Sequence, residues 1–292
     1  MFRLNRQIVQ ASNNQVRLNS STSGSQSKRG PLASAAVVAA MAAFGATSFA
    51  MTSGDVLHAP NYNFAHKGPL TAYDHASIRR GFQVYQQICA SCHSLHRVSY
   101  RTLLNVAFSE DEMKVLLENA NDVEDGPNEK GQNFMRPAKL SDYMPSPFKN
   151  EEEGRMANDG AYPPDLSLIA KARGGGADYL FALLTGYRDA PEGVSLRKGL
   201  HYNPYFPGGA IAMAQQLFDG SVDYEDGTPA TTSQMAHDVS VFLTWAAEPE
   251  HDDRKLMGLK WCLAFATMTV TVMWYKRFRW STIKGRALSY KD

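Results

Sequence analysis

The segment Cys89-Ala90-Ser91-Cys92-His93 uses two of only three cysteines in a 292-residue chain, and it places a histidine directly after the second. Thiols three residues apart lie on one helical turn. Each can add to one of the two vinyl groups on a porphyrin edge, and the next residue then projects over the porphyrin face, where an imidazole can bind iron. Three other readings use the same residues. Zinc needs two further ligands. The remaining cysteine, Cys262, lies inside a long apolar run, so a four-cysteine site is excluded and His96 or remote histidines would have to complete the set. A thioredoxin-like redox pair expects a strand before the motif, whereas a helix-like segment precedes it here. A structural disulfide is the third alternative. Covalent attachment of one c-type haem is the reading the spacing favours.

Iron held by His93 needs a sixth ligand or keeps an open position. Methionine or histidine there makes an electron carrier, and an open position makes a peroxidase or a ligand sensor. Between the two ends of the chain the candidate methionines are Met113, Met135, Met144, Met156, Met213 and Met235. Chemistry does not choose among them. Met213 is the best placed, because the glycine-proline loop "NPYFPGGAIAM" can lay apolar residues against a haem face.

The surrounding pattern is mainly helical. Ile78, Phe82, Tyr85 and Ile88 recur at helical spacing after a cap-like Thr71/Asp74, predicting a helix that ends near Cys89. Ser109 is a good N-cap for "SEDEMKVLLENA", with acids in the first turn. "GGADYLFALLTGY" places Tyr179, Leu180, Leu183 and Leu184 on one side of a further helix, and Thr232 or Ser233 should cap the helix that ends at Glu248-Pro249. The stretch from Val123 to Gly154 is rich in glycine, proline and charge and reads as a long loop. Few segments alternate at period two, and no internal repeat is visible. Helices joined by this much loop need a central organiser, which a large cofactor can supply.

The ends carry a different message. Residues 1–54 contain Arg3, Arg6, Arg17, Lys28 and Arg29 but no acid, and an apolar small-residue run follows from Pro31. A two-part mitochondrial presequence is expected there. A bacterial signal peptide is disfavoured by the long basic lead. Leu256 to Tyr275 is a 20-residue run with one charge, Lys260, and with Trp261, Trp274 and Tyr275 near its edges. At 1.5 Å per residue it spans about 30 Å, the thickness of a bilayer core. A buried core helix is the alternative, and the basic flank argues against it. Six bases and one acid follow in 276–292, which keeps the C-terminus on the matrix side and the preceding domain outside. The expected division is therefore presequence 1–54, a working domain 55–250, an anchor 251–275 in membrane lipid, and a basic tail 276–292. Residues 55–275 hold 19 bases against 28 acids, net −9. Such a surface suits a basic partner and not nucleic acid.

Several runs together resemble the cytochrome c1 family, the haem subunit of mitochondrial ubiquinol–cytochrome c reductase (complex III). They are "SIRRGFQVYQQICASCHS", "DGPNEKGQNFMRPAKLSDY", "ANDGAYPPDLSLIAKAR", "DYLFALLTGY", "YNPYFPGGAIAMA" and "SQMAHDVSVFLTWAAEPEHDDRK". The resemblance covers nearly everything from Asp55 onward and implies a class I cytochrome c-like helical domain around one c-type haem, plus a single C-terminal transmembrane helix. It implies thioether bonds at Cys89 and Cys92, axial ligation by His93 and Met213, and haem propionate contacts from Arg173 and Tyr179. It places Pro163 and Pro164 near the histidine, where a proline carbonyl can accept from the imidazole N–H, and leaves His96 as a surface or structural residue. Gly174 departs from the family pattern, which often has histidine after the arginine. The implied role is to take one electron from the Rieske iron–sulfur protein, beside cytochrome b, and to pass it to soluble cytochrome c at the inner membrane. The rival is a haem peroxidase or ligand sensor with an open iron position, and a free-standing membrane-anchored cytochrome is a further alternative.

Overall fold

A computed structural model describes residues 57–120, 122–287 and 289. The presequence expected over 1–54 lies outside the described residues. Helix α1 (His75–Gln87) starts where Asp74 Oδ1 accepts the Ala76 N–H at 3.1 Å, so Asp74 is the cap and Thr71 is not. The Thr71 hydroxyl instead donates to the Ala65 carbonyl. A 3-10 turn (Cys89–Ser91) continues from α1. Then follow α2 (Tyr100–Leu103), α3 (Glu110–Glu118), β1 (Val123–Asp125), β2 (Phe134–Arg136), α4 (Glu151–Ala157), α5 (Ile169–Ala172) and α6 (Ala177–Thr185). The chain ends with β3 (His201–Tyr202), β4 (Ala210–Ile211), α7 (Thr232–Ala247) and α8 (His251–Lys284). The mainly helical class stands. Its strands form two short antiparallel ribbons, β1 with β2 and β3 with β4.

Three local expectations shift. Thr231, not Thr232 or Ser233, caps α7, accepting from the Gln234 N–H at 3.2 Å. The reason is competition: Asp219 takes both the N–H and the hydroxyl of Thr232. The expected loop over 123–154 contains the β1–β2 ribbon and the start of α4. Arg136 orders that ribbon by pairing with Asp125 and, at 2.7 and 2.9 Å, with Asp142. The apolar helix runs past Tyr275 to Lys284, well beyond the apolar run itself. From Leu256 to Lys284 every side chain of α8 is exposed in the isolated chain, as a helix facing lipid requires.

The core forms where α1 crosses α7, with α5 and α6 packed on the same helix. Gly81 makes the crossing possible. A Cβ there would stand 2.1 Å from the Asp238 carbonyl oxygen and 2.6 Å from Phe242 Cβ. Beside it, Phe82 and Phe242 meet edge to face at 5.7 Å. Arg80 Nε donates at 2.8 Å to Asp238, whose side chain is completely buried, and Arg80 also reaches Asp226. Burial alone would raise the Asp238 carboxyl, but hydrogen bonds from His237, Arg80 and Gln234 outweigh it and hold the group below its usual range.

Where the domain meets α8, Lys255 Nζ donates to the carbonyls of His66 (2.7 Å), Gly68 (2.6 Å) and Thr71 (3.0 Å). Asp252 accepts the Tyr73 N–H and the His251 ring. His66 is buried against Tyr73 and Phe64, with His251 edge-on. Burial, with the nearby His251, Lys67, Lys255 and His237, lowers its pKa to about 4.

Gly81→Ala should remove about 3 kcal/mol or more of stability, since the new methyl meets backbone and cannot turn aside; a thermal unfolding midpoint of the purified full chain within a degree of wild type would contradict this. A second outcome concerns acid. The fold holds His66 neutral down to about pH 4, whereas an unfolded chain protonates it near 6.5. The unfolded state therefore binds the extra proton between those values, and stability declines as pH falls through that window. His66→Phe keeps an aromatic ring but cannot titrate, so its unfolding midpoint should fall less steeply with acid than that of the wild type.

Candidate haem site

Helix α1 delivers the motif, and the turn after it folds the motif back. Cys92 N–H and His93 N–H both donate to the Cys89 carbonyl, at 3.1 and 2.8 Å, which winds Cys89 to His93 into about one turn. Neither Cys89 nor Cys92 is bridged. Burial pushes the Cys89 thiol up to about 12, so it is not poised as a free thiolate. Among the described residues, no three His, Cys, Asp or Glu side chains gather as metal ligands, which removes the zinc reading there. The helix before the motif contradicts a thioredoxin-like pair.

The His93 ring is fixed. Its Nδ1 lies 2.8 Å from the Pro164 carbonyl oxygen. A carbonyl can only accept, so Nδ1 carries the proton and Nε2 keeps a free lone pair. Burial lowers the His93 pKa against the opposing effects of the Pro164 bond and the Asp165 charge, which favours this neutral form. The main chain is held as firmly. The Tyr85 hydroxyl donates to the His93 carbonyl at 3.1 Å, and Leu166 N–H donates to the Ser94 carbonyl at 3.0 Å. Asp165 accepts from the Ser94 hydroxyl, the His96 N–H and the Ser167 N–H. Burial acts to raise its carboxyl, and these hydrogen bonds more than offset that and lower it. The expected proline carbonyl is thus that of Pro164, and His96 has an exposed side chain.

Arg173 and Tyr179 are brought together by the turn between α5 and α6. Gly175 sits at φ +90°, a conformation side chains disfavour, and this lets the chain reverse between the two residues. Burial raises the Tyr179 phenol while the neighbouring Arg173 guanidinium opposes the rise. The Arg173 side chain is otherwise exposed, and it donates to the Ala172 carbonyl at 3.2 Å. A guanidinium beside a phenol forms a pair of donors suited to a carboxylate.

Burial sorts the methionines. Met113, Met144 and Met235 belong to the core, at 1%, 5% and 0% exposure, while Met135 and Met156 face solvent at 60% and 86%. Of these six methionines, only Met213 is half-buried. It follows β4 in an irregular loop secured to the end of α6. Asn203, fully buried, donates its Nδ2 to the Leu183 carbonyl at 2.7 Å, and the Tyr187 hydroxyl donates to the Met213 carbonyl at 3.0 Å. The sequence marks Tyr85 only as an apolar position of a helix, and it marks no site role for Asp165, Tyr187 or Asn203. Asp165 and Asn203 each sit beside a proline, in "PPD" and "YNPY", a signal for a side chain that orders a turn. Nothing local marks the two tyrosines for a site role.

The donor set fits a c-type haem: two unbridged thiols on one turn, an imidazole with Nε2 free, and a half-buried thioether. Comparison with known proteins finds a family and named haem proteins that match most of the chain. The profile of the Cytochrome C1 family matches residues 64–283. A Solanum tuberosum protein named cytochrome c1-2, heme protein, mitochondrial, is 60% identical over 232 residues, covering 80% of this chain and 89% of that protein. The Saccharomyces cerevisiae protein named cytochrome c1, heme protein, mitochondrial, is 52% identical over 280 residues, or 91% and 90% of the two chains. A Candida albicans protein named cytochrome b-c1 complex catalytic subunit, mitochondrial, is 55% identical over 246 residues, or 84% and 85%.

Proposed function

Because the chain belongs to the cytochrome c1 family, we propose that it is the membrane-anchored c-type cytochrome of a cytochrome b–c1 complex. It takes one electron from the Rieske iron–sulfur protein and passes it to soluble cytochrome c. It serves as the electron-transfer subunit of a ubiquinol–cytochrome c reductase, assembled with cytochrome b. The observation that carries the reading is the His93 ring, pinned through Nδ1 with Nε2 free, one residue after two unbridged thiols.

In this reading Cys89 and Cys92 would hold the haem through thioether bonds, His93 Nε2 and the Met213 sulfur would ligate its iron, and Arg173 with Tyr179 would bind a propionate. When bound, a c-type haem supplies a one-electron iron couple. The protein's residues set its environment. The Pro164 carbonyl orients the imidazole and raises its basicity by accepting the Nδ1 proton. A thioether ligand and a buried setting favour the reduced form and a high potential. A ligand placed as firmly as His93 leaves little to reorganise on its side when an electron arrives.

The location proposed is the mitochondrial inner membrane, with residues 55–250 in the intermembrane space, α8 crossing the lipid, and the basic C-terminal segment in the matrix. Residues 109–165 hold 14 acids and 6 bases. Part of this charge stabilises the fold. Glu112 closes the capping box on Ser109 and binds Arg79, and Glu151 pairs with Arg155. Glu152 at the start of α4 has no such partner among the described residues, and Glu110 and Asp111 at the start of α3, which share Lys114, are also exposed to solvent. Together they offer a negative field for a basic cytochrome c.

The test begins with the pigment. Acidified acetone should leave the haem on the mature chain, and Met213→Leu should keep that covalent haem while losing the high potential and gaining carbon monoxide binding in the reduced state. Rapid carbon monoxide binding by the wild type would favour the ligand-sensor alternative instead. Turnover with soluble cytochrome c should fall steeply between low and high ionic strength, and a flat salt profile would remove the steering role of the acidic span.

A further inference from the structure

The two ligand-bearing residues are held very unequally. His93 is bonded through its N–H, its carbonyl and its ring, and the residues after it are tied down by Asp165 and Leu166. Of these, Met213 has only the bond to its carbonyl. It lies beyond the two-residue ribbon β3–β4, and the Tyr187 hydroxyl makes the only hydrogen bond that the described residues give to its main chain. The nearest other anchors act several residues earlier, where Asn203 bonds Leu183, Arg188 N–H meets the Tyr202 carbonyl, and Asn203 N–H meets the Gly209 carbonyl. Gln215 and Gln216 bond only within their own loop.

We propose that Tyr187 is the positioning residue for the Met213 ligand: its hydroxyl, held rigidly two residues past α6, fixes the Met213 carbonyl and so keeps the thioether on the iron. This rests on the axial role proposed for Met213. The phenol suits the task. Its half-buried ring is carried just beyond a helix that packs on α7, and the hydroxyl donates across 26 residues of sequence. Deleting it leaves the loop anchored at Asn203 but lets the segment after β4 swing. A bond between iron and a neutral thioether is the weaker of the two axial bonds, so the Met213 side is the one that responds. The same loss on the His93 side would leave the ring still bonded to Pro164.

The experiment uses the full-length chain with its covalent haem in mild detergent and compares Tyr187→Phe, Met213→Leu and Tyr100→Phe. Tyr100 is another buried tyrosine, whose hydroxyl serves neither ligand residue. Covalent haem is quantified by pyridine haemochrome, and three properties are read: the weak red-end absorption of thioether-ligated oxidised iron, carbon monoxide binding after reduction, and the midpoint potential. Tyr187→Phe should retain covalent haem, weaken the red-end band, lower the potential, and raise the carbon monoxide-reactive fraction about tenfold, the scale of one lost hydrogen bond. Tyr100→Phe should match the wild type.

If Tyr187→Phe matches the wild type in all three properties while Met213→Leu loses the band, the positioning role is wrong and the ligand reading stands. An unchanged band in Met213→Leu would instead remove the ligand reading and this inference with it. Equal shifts in Tyr187→Phe and Tyr100→Phe would show a general loosening of the fold and overturn the proposal. Should Tyr187→Phe fail to accumulate with haem, para-aminophenylalanine at position 187 decides. It restores a donor at the same reach, so recovery of the band supports the hydrogen bond, and failure to recover it overturns the proposal.

Discussion

The near-contact of α1 and α7 at Gly81 is the constraint from which the rest follows. Backbone meets backbone there because nothing larger than hydrogen fits. The close approach brings Arg80 onto the buried Asp238 and seats Phe82 against Phe242. An ion pair with one partner fully buried tolerates few alternative geometries, since a carboxylate stripped of its donors is costly in that setting. The crossing therefore fixes α1 in rotation and in height. The cysteine–histidine turn begins two residues after α1 ends, so its position is inherited from a contact more than one helical turn away.

The site is assembled from two sides with different mechanical character. On the histidine side, short-range turns and the Pro164–Asp165 segment supply several hydrogen bonds within a few residues. On the methionine side, a long loop with two residue pairs of ribbon is tied to α6 through Asn203 and Tyr187. The turn between α5 and α6 joins the two sides: α5 starts four residues after Asp165, and α6 ends two residues before Tyr187. Arg173 and Tyr179 flank that turn.

At the other end of the domain, Lys255 gathers three carbonyls of the first described segment onto the first turns of α8. Asp252 adds the Tyr73 N–H. The helix that crosses the lipid is thus not joined to the domain by chain alone. Its first turns are part of the domain, and the buried His66 there makes the junction sensitive to acid, because burying its imidazole favours the neutral form.

Much of this was legible in the residues themselves. The Cys89–Cys92–His93 spacing, the caps at Asp74 and Ser109, and the apolar run from Leu256 are local patterns, governed by helical pitch, by the unpaired donors of a first turn, and by the thickness of a bilayer. Where local patterns competed, the sequence misled. The α7 cap moved to Thr231 because Asp219, 13 residues away in the chain, claims Thr232. The expected loop after Val123 became a ribbon because Arg136 found two carboxylates.

What the sequence by itself determined is therefore the chemistry on offer: two thiols and an imidazole at haem-attachment spacing, a helical domain, and a helix long and apolar enough for a membrane. What only the tertiary structure decided is which groups meet. It set the His93 tautomer through a carbonyl 71 residues away. It separated Met213 from five other methionines by burial, and it matched Tyr187 to the Met213 carbonyl. Those outcomes depend on hydrogen bonds and packing between segments distant in the chain, and no periodicity or spacing within a segment encodes them.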